Sequence, residues 1–80
     1  MEELLAYLAR ALVDDPDAVS VGSFTEEDGT IVLELHAPPD EAGRLIGRRG
    51  RTISALRTVL KASATRREKR VLIDVVDAPA

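Results

Sequence analysis

Eighty residues, 45% of them hydrophobic, suit a single domain spanning residues 1–80, although a chain this small buries only about 60% of its unfolded surface. No cysteine is present, which excludes disulfides and thiolate metal sites and fits a reducing compartment. The net charge of −3 taken alone argues against a nucleic-acid partner, but residues 44–70 hold ten of the eleven basic residues and a single acid, Glu68, leaving +9 there and −12 elsewhere. Such asymmetry points to a local anion site on an otherwise repelling surface.

Residues 2–16, EELLAYLARALVDDP, read as an amphipathic helix. Leu4, Leu5, Leu8 and Leu12 share one face, Glu2 and Glu3 suit the positive helix end, and Pro16 enforces the stop. VSVGSF and TIVLELH then flank TEEDG, in which Asp28-Gly29 is a hairpin signal. Ile31, Leu33 and Leu35 alternate with Thr30, Glu34 and His36, as a half-buried strand requires. Pro38-Pro39 closes the sheet segment. Asp40 and Glu41 suit the first turn of a short helix, DEAGRLI, with Gly47 as its stop. A longer helix fits RTISALRTVLKAS: Ile53, Leu56 and Leu60 align inward, and Arg51, Ser54, Arg57, Thr58 and Lys61 fall on the opposite side. The basic stretch TRREKR leads into VLIDVV, a β-branched run that reads as a final strand. The predicted order is helix, strand, strand, helix, helix, strand. No apolar run is long enough to span a membrane and no signal peptide is visible, so a cytoplasmic protein without membrane association is expected.

The segment between the last two helices, LIGRRGRTIS, concentrates the chemistry. A bare G-x-x-G is weak evidence, since about 0.4 such matches are expected by chance at this length. Its surroundings carry more. A helix beginning just after Gly50 leaves its first backbone N–H groups unpaired and carries partial positive charge there. Gly47 and Gly50 remove the Cβ atoms that would hold a sugar-phosphate chain away. Arg48 and Arg49 offer charge-assisted hydrogen bonds to phosphate oxygens. Apolar Ile46 and Ile53 can shape a groove for unstacked bases.

IGRRGRTI between two short helices resembles the signature loop of the KH domain, a single-stranded nucleic-acid module whose G-x-x-G loop clamps four backbone nucleotides. The helix-first order is similar to the type II KH arrangement, an α+β fold with a three-stranded mixed sheet and three helices on one face. The resemblance covers the whole chain and is greatest to the small stand-alone bacterial KH proteins of the KhpA kind. It implies a cytoplasmic protein that binds single-stranded RNA and forms a homodimer or a heterodimer with another KH-domain protein. The implied RNA-contacting residues are Ile46, Gly47, Arg48, Arg49, Gly50 and Ile53, with Arg44, Arg51 and Arg57 adding electrostatic attraction. The acidic hairpin Glu26-Glu27-Asp28 is expected to border the same groove and to repel phosphate.

Other readings of these residues stand beside that one. Gly47 and Gly50 could serve only a helix–turn–helix corner that needs left-handed residues. Arg57, Lys61, Arg66, Arg67, Lys69 and Arg70 could be ordinary solvated charges. Ile53, Leu56 and Leu60 suit a core, and Ile53 could serve core and groove together. Tyr7 and Phe24 are the only aromatics, which disfavours modules that stack bases on aromatic platforms. A single histidine, His36, and no cysteine leave zinc without its usual ligands. No nucleotide-binding glycine motif is present, and Asp14-Asp15 and Asp40-Glu41 look like helix-end charges, so neither a cofactor nor a catalytic residue is expected. A third class is an interaction protein with a KH-like fold and little intrinsic RNA binding, with Ala55, Val59 and Ala62 as candidate contacts.

Overall fold

A computed structural model describes residues 1–77. Helix α1 spans Glu2–Ala11, and a 3-10 turn at Pro16–Ala18 leads into strand β1, Ser20–Thr25. Strand β2 is Ile31–Ala37, helix α2 Pro39–Ile46, helix α3 Arg51–Arg66 and strand β3 Val71–Asp77. The sheet order is β1-β2-β3, with β1 antiparallel and β3 parallel to the central strand. This is the expected α-β-β-α-α-β order and mixed sheet, consistent with a type II KH fold.

Alternation along the strands selects the inner face. Leu33, Leu35 and Ala37 of β2 and Val71 and Ile73 of β3 are buried in one cluster with Leu5, Ala9, Leu45, Leu56 and Leu60 from the three helices. All three helices therefore cover the same side of the sheet. A β2–β3 pair in parallel needs a long crossover, and α2 with α3 supplies it.

Two helix ends and the burial of one residue differ from the sequence reading. Helix α1 stops at Ala11, and its end tightens at Leu12, whose N–H bonds three residues back to the Ala9 carbonyl at 3.0 Å. Its buried positions are Leu5 and Ala9, and Leu12 is 47% exposed. Ala9 continues the buried stripe from Leu5, and Val13 in place of Leu12 packs partly against the core beyond it. Helix α3 runs three residues beyond Ser63, to Arg66, because Ala64 continues the buried stripe of Ile53, Leu56 and Leu60. Thr30, placed by alternation on the open face, is buried instead. Its N–H bonds to Asp28 Oδ1 at 2.9 Å and its carbonyl accepts the Glu26 N–H at 2.8 Å, so the hairpin folds over it.

Both ends of α2 follow from sequence. Pro39 occupies the first helical position, where a missing N–H costs nothing. Gly47 ends the helix at φ 76° and donates its N–H to the Gly43 carbonyl at 2.9 Å. Helix α3 closes on a residue less suited to the task. The Glu68 N–H bonds to Thr65 O and the Lys69 N–H to Ala64 O, a Schellman arrangement in which Glu68 takes φ 58°.

Candidate functional site

The two crossover helices meet at a sharp joint, Arg48–Gly50, a single 3-10 turn and not a continuous helix. Three of its backbone positions are left-handed in φ: Gly47 at 76°, Arg49 at 57° and Gly50 at 72°. Gly47 also has ψ 171°, a combination essentially closed to residues with a side chain. A Cβ at Gly47 would lie 2.7 Å from Thr52 Cβ and 2.9 Å from Thr52 N. The loop therefore crosses the first turn of α3 at a separation only glycine permits. Gly50 is freer, since a Cβ there would meet nothing nearer than Ile53 Cγ2 at 4.0 Å.

No side chain caps the start of α3, because its cap residue is Gly50. The partial positive charge of that helix end therefore faces the loop without a protein carboxylate to offset it. Arg48 and Arg49 are exposed, and among the described residues neither has an ion-pair partner. Ile46, 42% exposed, stands beside them, whereas Ile53 is only 6% exposed and belongs to the core. Of the apolar pair, Ile46 alone presents a broad surface to solvent at the loop.

The three outlying arginines point to different places. Arg44 is held by two carboxylates, Asp14 at 2.8 Å and Glu41 at 3.1 Å. Glu41 is buried and also accepts the Asp15 N–H at 3.0 Å, which fastens the segment after α1 to α2. Arg51 borders an apolar depression between α1 and α3, together with Leu8, Leu12, Ala55 and Val59. Arg57 donates from Nη2 to the Ile73 carbonyl at 3.2 Å. It lines, with Lys61 and residues 71–74, a cleft of about 250 Å³ between α3 and the outer edge of β3. Arg57 lies six residues along α3 from Arg51, about 9 Å at the helical rise.

The acidic hairpin sits at the far end of that cleft. Asp28, Gly29 and Thr30 adjoin Glu68, Lys69 and Arg70, and the Ile31 N–H bonds to Arg70 O at 2.8 Å. The 16 residues of α3 span about 24 Å, with the G-R-R-G loop at its start and residues 68–70, which adjoin the hairpin, just beyond its end. The Thr30 backbone N–H, then its side chain, holds the Asp28 carboxyl below its ordinary value of 3.8, with Arg70 adding attraction. Neighbouring Lys69 and Arg70 offset much of the negative charge there.

His36 lies on the open sheet face with Nε2 3.6 Å from Glu34 Oε1. Among the described residues no group of three potential metal ligands comes together. No helix among them is long and apolar enough to cross a membrane. The sequence reading missed Thr52, whose packing imposes glycine at position 47, and Glu41, whose burial depends on a partner 26 residues away.

Comparison with known proteins sets the chain in a family. The family described as KhpA/KhpB, KH domain, matches residues 2–75. The chain belongs to that KH-domain family. It is 43% identical over 76 residues to the RNA-binding protein KhpA of Clostridium acetobutylicum, covering 95% of this chain and 100% of that protein. The KhpA of Halalkalibacterium halodurans is 44% identical over 78 residues, 96% of this chain and 100% of its own. That of Streptomyces coelicolor is 45% identical over 75 residues, 94% of each chain.

Proposed function

We propose that this chain is a non-catalytic RNA-binding protein that clamps a short single-stranded RNA on its Gly47–Gly50 loop, in the cytoplasm. The observation that carries the reading is the joint itself: an uncapped helix start, three left-handed backbone positions and two exposed arginines without carboxylate partners among the described residues. Gly47 and Gly50 admit the sugar-phosphate backbone, and Arg48 and Arg49 bind its oxygens. Ile46 supplies the exposed apolar wall, and Ile53 supports it from the core. Bases continue along the cleft between α3 and β3, where Arg57 is already anchored to the strand edge. Arg51 adds attraction at the helix start. Arg44, neutralised by Asp14 and Glu41, contributes least. Membership in a family whose relatives are named RNA-binding proteins supports the same ligand.

A site of about four nucleotides yields modest affinity, and coupling two domains raises it through effective concentration. The proposal therefore includes association, as a homodimer or with another KH-domain protein, through the apolar depression of Leu8, Leu12, Ala55 and Val59. Leu12 and Val59 are 47% and 46% exposed. The same surface favours the second reading, an interaction module with little RNA affinity of its own.

Reversing both arginines, Arg48→Asp with Arg49→Asp, separates the two. Aspartate tolerates the left-handed conformation at position 49 better than most residues, and exposed substitutions shift stability by about 0.5 kcal/mol or less. The expected result is an unchanged melt by circular dichroism and loss of binding to a short labelled RNA by fluorescence anisotropy. Full RNA affinity in the folded double variant would remove the loop from the mechanism.

A further inference from the structure

The sheet face turned away from the helices has a composition that neither the RNA reading nor the α1–α3 depression uses. Strand register places Phe24, Val32 and Leu72 side by side across all three strands. Phe24 and Leu72 are 49% and 48% exposed, and Val32 is enclosed between them at 5%. Single exposed apolar residues are ordinary, but the open face of a sheet is normally polar at alternate positions. Here one complete cross-strand row is apolar.

The next outward row is Gly22, Glu34 and Asp74. Gly22 leaves space there, with only the His36 ring near the position a Cβ would take. The outward positions of the three strands, even-numbered from Ser20 to Phe24, Val32 to His36 and Leu72 to Val76, include no lysine or arginine. Beyond the apolar row on the other side, Lys69 and Arg70 line a hollow with Asp28 and Glu68, and Glu26 and Glu27 precede Asp28 in the hairpin. The apolar row thus lies at the hairpin end of the face, with the carboxylates of Glu34 and Asp74 on one side of it and the mixed charges of the hairpin and residues 68–70 on the other.

We infer that this open sheet face, centred on Phe24, Val32 and Leu72, docks a polypeptide segment of another protein that carries apolar side chains beside lysines or arginines. The apolar row supplies area removed from water. Glu34 and Asp74 supply complementary charge, and the Phe24 ring offers a face to a cation. Glu34, which lies outside the α3–β3 cleft, repels nucleic acid, so the apolar row beside it suits a polypeptide and not a second RNA strand. Leu72 and Asp74 also border the α3–β3 cleft, so the decisive positions are Phe24 and Glu34, which do not.

The probe is a fluorescent peptide of alternating lysine and leucine, measured by anisotropy and by amide shifts in NMR spectra of the whole chain. Two control peptides replace leucine by serine or lysine by glutamate. The lysine–leucine peptide should perturb amides of β1 and β2, and both controls should bind at least about tenfold more weakly. Phe24→Ser and Glu34→Lys should each weaken it about tenfold, while Arg48→Asp/Arg49→Asp leaves it unchanged. Both sites are partly exposed, and a thermal melt identifies any unfolded variant; Glu34→Lys gives up the pair with His36 but keeps a long side chain on the open face, which keeps the test decisive if Phe24→Ser unfolds. Equal binding of the serine control, unchanged binding by folded Glu34→Lys, or shifts confined to the α1–α3 depression would overturn the inference. So would a short RNA that perturbs the same β1 and β2 amides, or a self-dimer in sedimentation that Phe24→Ser abolishes.

Discussion

Alanine at position 47 should damage this fold far more than alanine at position 50, although both glycines belong to one motif and both have positive φ. Gly47 combines φ 76° with ψ 171°, a region in which a residue with a side chain stores about 1–3 kcal/mol of strain. Its Cβ would also press on Thr52 Cβ at 2.7 Å and on Thr52 N at 2.9 Å. The second of these is backbone of the first turn of α3, so relief requires the helix start to move, and overpacking of that kind costs about 1–3 kcal/mol more. Gly50 sits at φ 72°, ψ 17° with 4.0 Å to the nearest atom, and alanine there meets only the left-handed penalty of about 1–2 kcal/mol. A difference of about 2 kcal/mol corresponds to a gap of about 8–16 °C in Tm for a domain of this size. Thermal melts of Gly47→Ala and Gly50→Ala measure it directly. The double variant Gly47→Ala/Thr52→Ala should recover only part of the loss, because it deletes Oγ1 but keeps Cβ and the amide. Equal melting losses for the two single variants, or complete recovery in the double, would refute the account of this crossing.

Three further outcomes follow from other parts of the molecule. Glu68→Gly should raise stability by about 1 kcal/mol, because Glu68 occupies the left-handed position of the α3 terminus at φ 58°; a lower Tm would count against that cause. RNA affinity should fall with salt at a log–log slope of about −0.7 per phosphate contact, and a loop of this size makes about two to four contacts. A salt-independent affinity measured by anisotropy would contradict phosphate clamping. Val59→Glu should leave monomer stability within about 0.5 kcal/mol, since Val59 is 46% exposed, and should abolish association in sedimentation; a persisting dimer would place the interface elsewhere.

What was legible in the sequence was what local patterns determine. The element order, the stop at Gly47 and the inward set Ile53, Leu56 and Leu60 each depend on residues within a few positions of one another. Even the extension of α3 to Arg66 had a local sign, because Ala64 lies four residues beyond Leu60. Leu12 misled because a run of leucines supports two overlapping stripes, and only the packing of Ala9 chooses between them. Contacts between distant segments left no such trace. Glu41 reads as a first-turn charge until its bond to the Asp15 N–H is seen, and Arg44 reads as a free cation until Asp14 is placed beside it. At the candidate site, the glycines and arginines were conspicuous, but the dependence of Gly47 on Thr52 required coordinates. The apolar row of the open sheet face depends on the register of three strands and could not be read from any one of them.

The parallel pairing of β2 with β3 has a consequence for how this chain reaches its folded state. Ile31 pairs with Val71 forty positions away, whereas the β1–β2 hairpin and the α2–α3 joint are closed by short loops. Non-local pairing bears the entropy of closing the whole intervening segment before any contact compensates for it. The hairpin and the helix pair can therefore organise early, with β3 adding last to a waiting edge of β2. In that order the cleft wall containing Ile73 forms after the arginine loop. Until β3 arrives, the hydrogen-bonding edge of β2 with Leu33 and Leu35 is open to strands of other chains. The period before β3 docks is the one in which this protein is most prone to mispair.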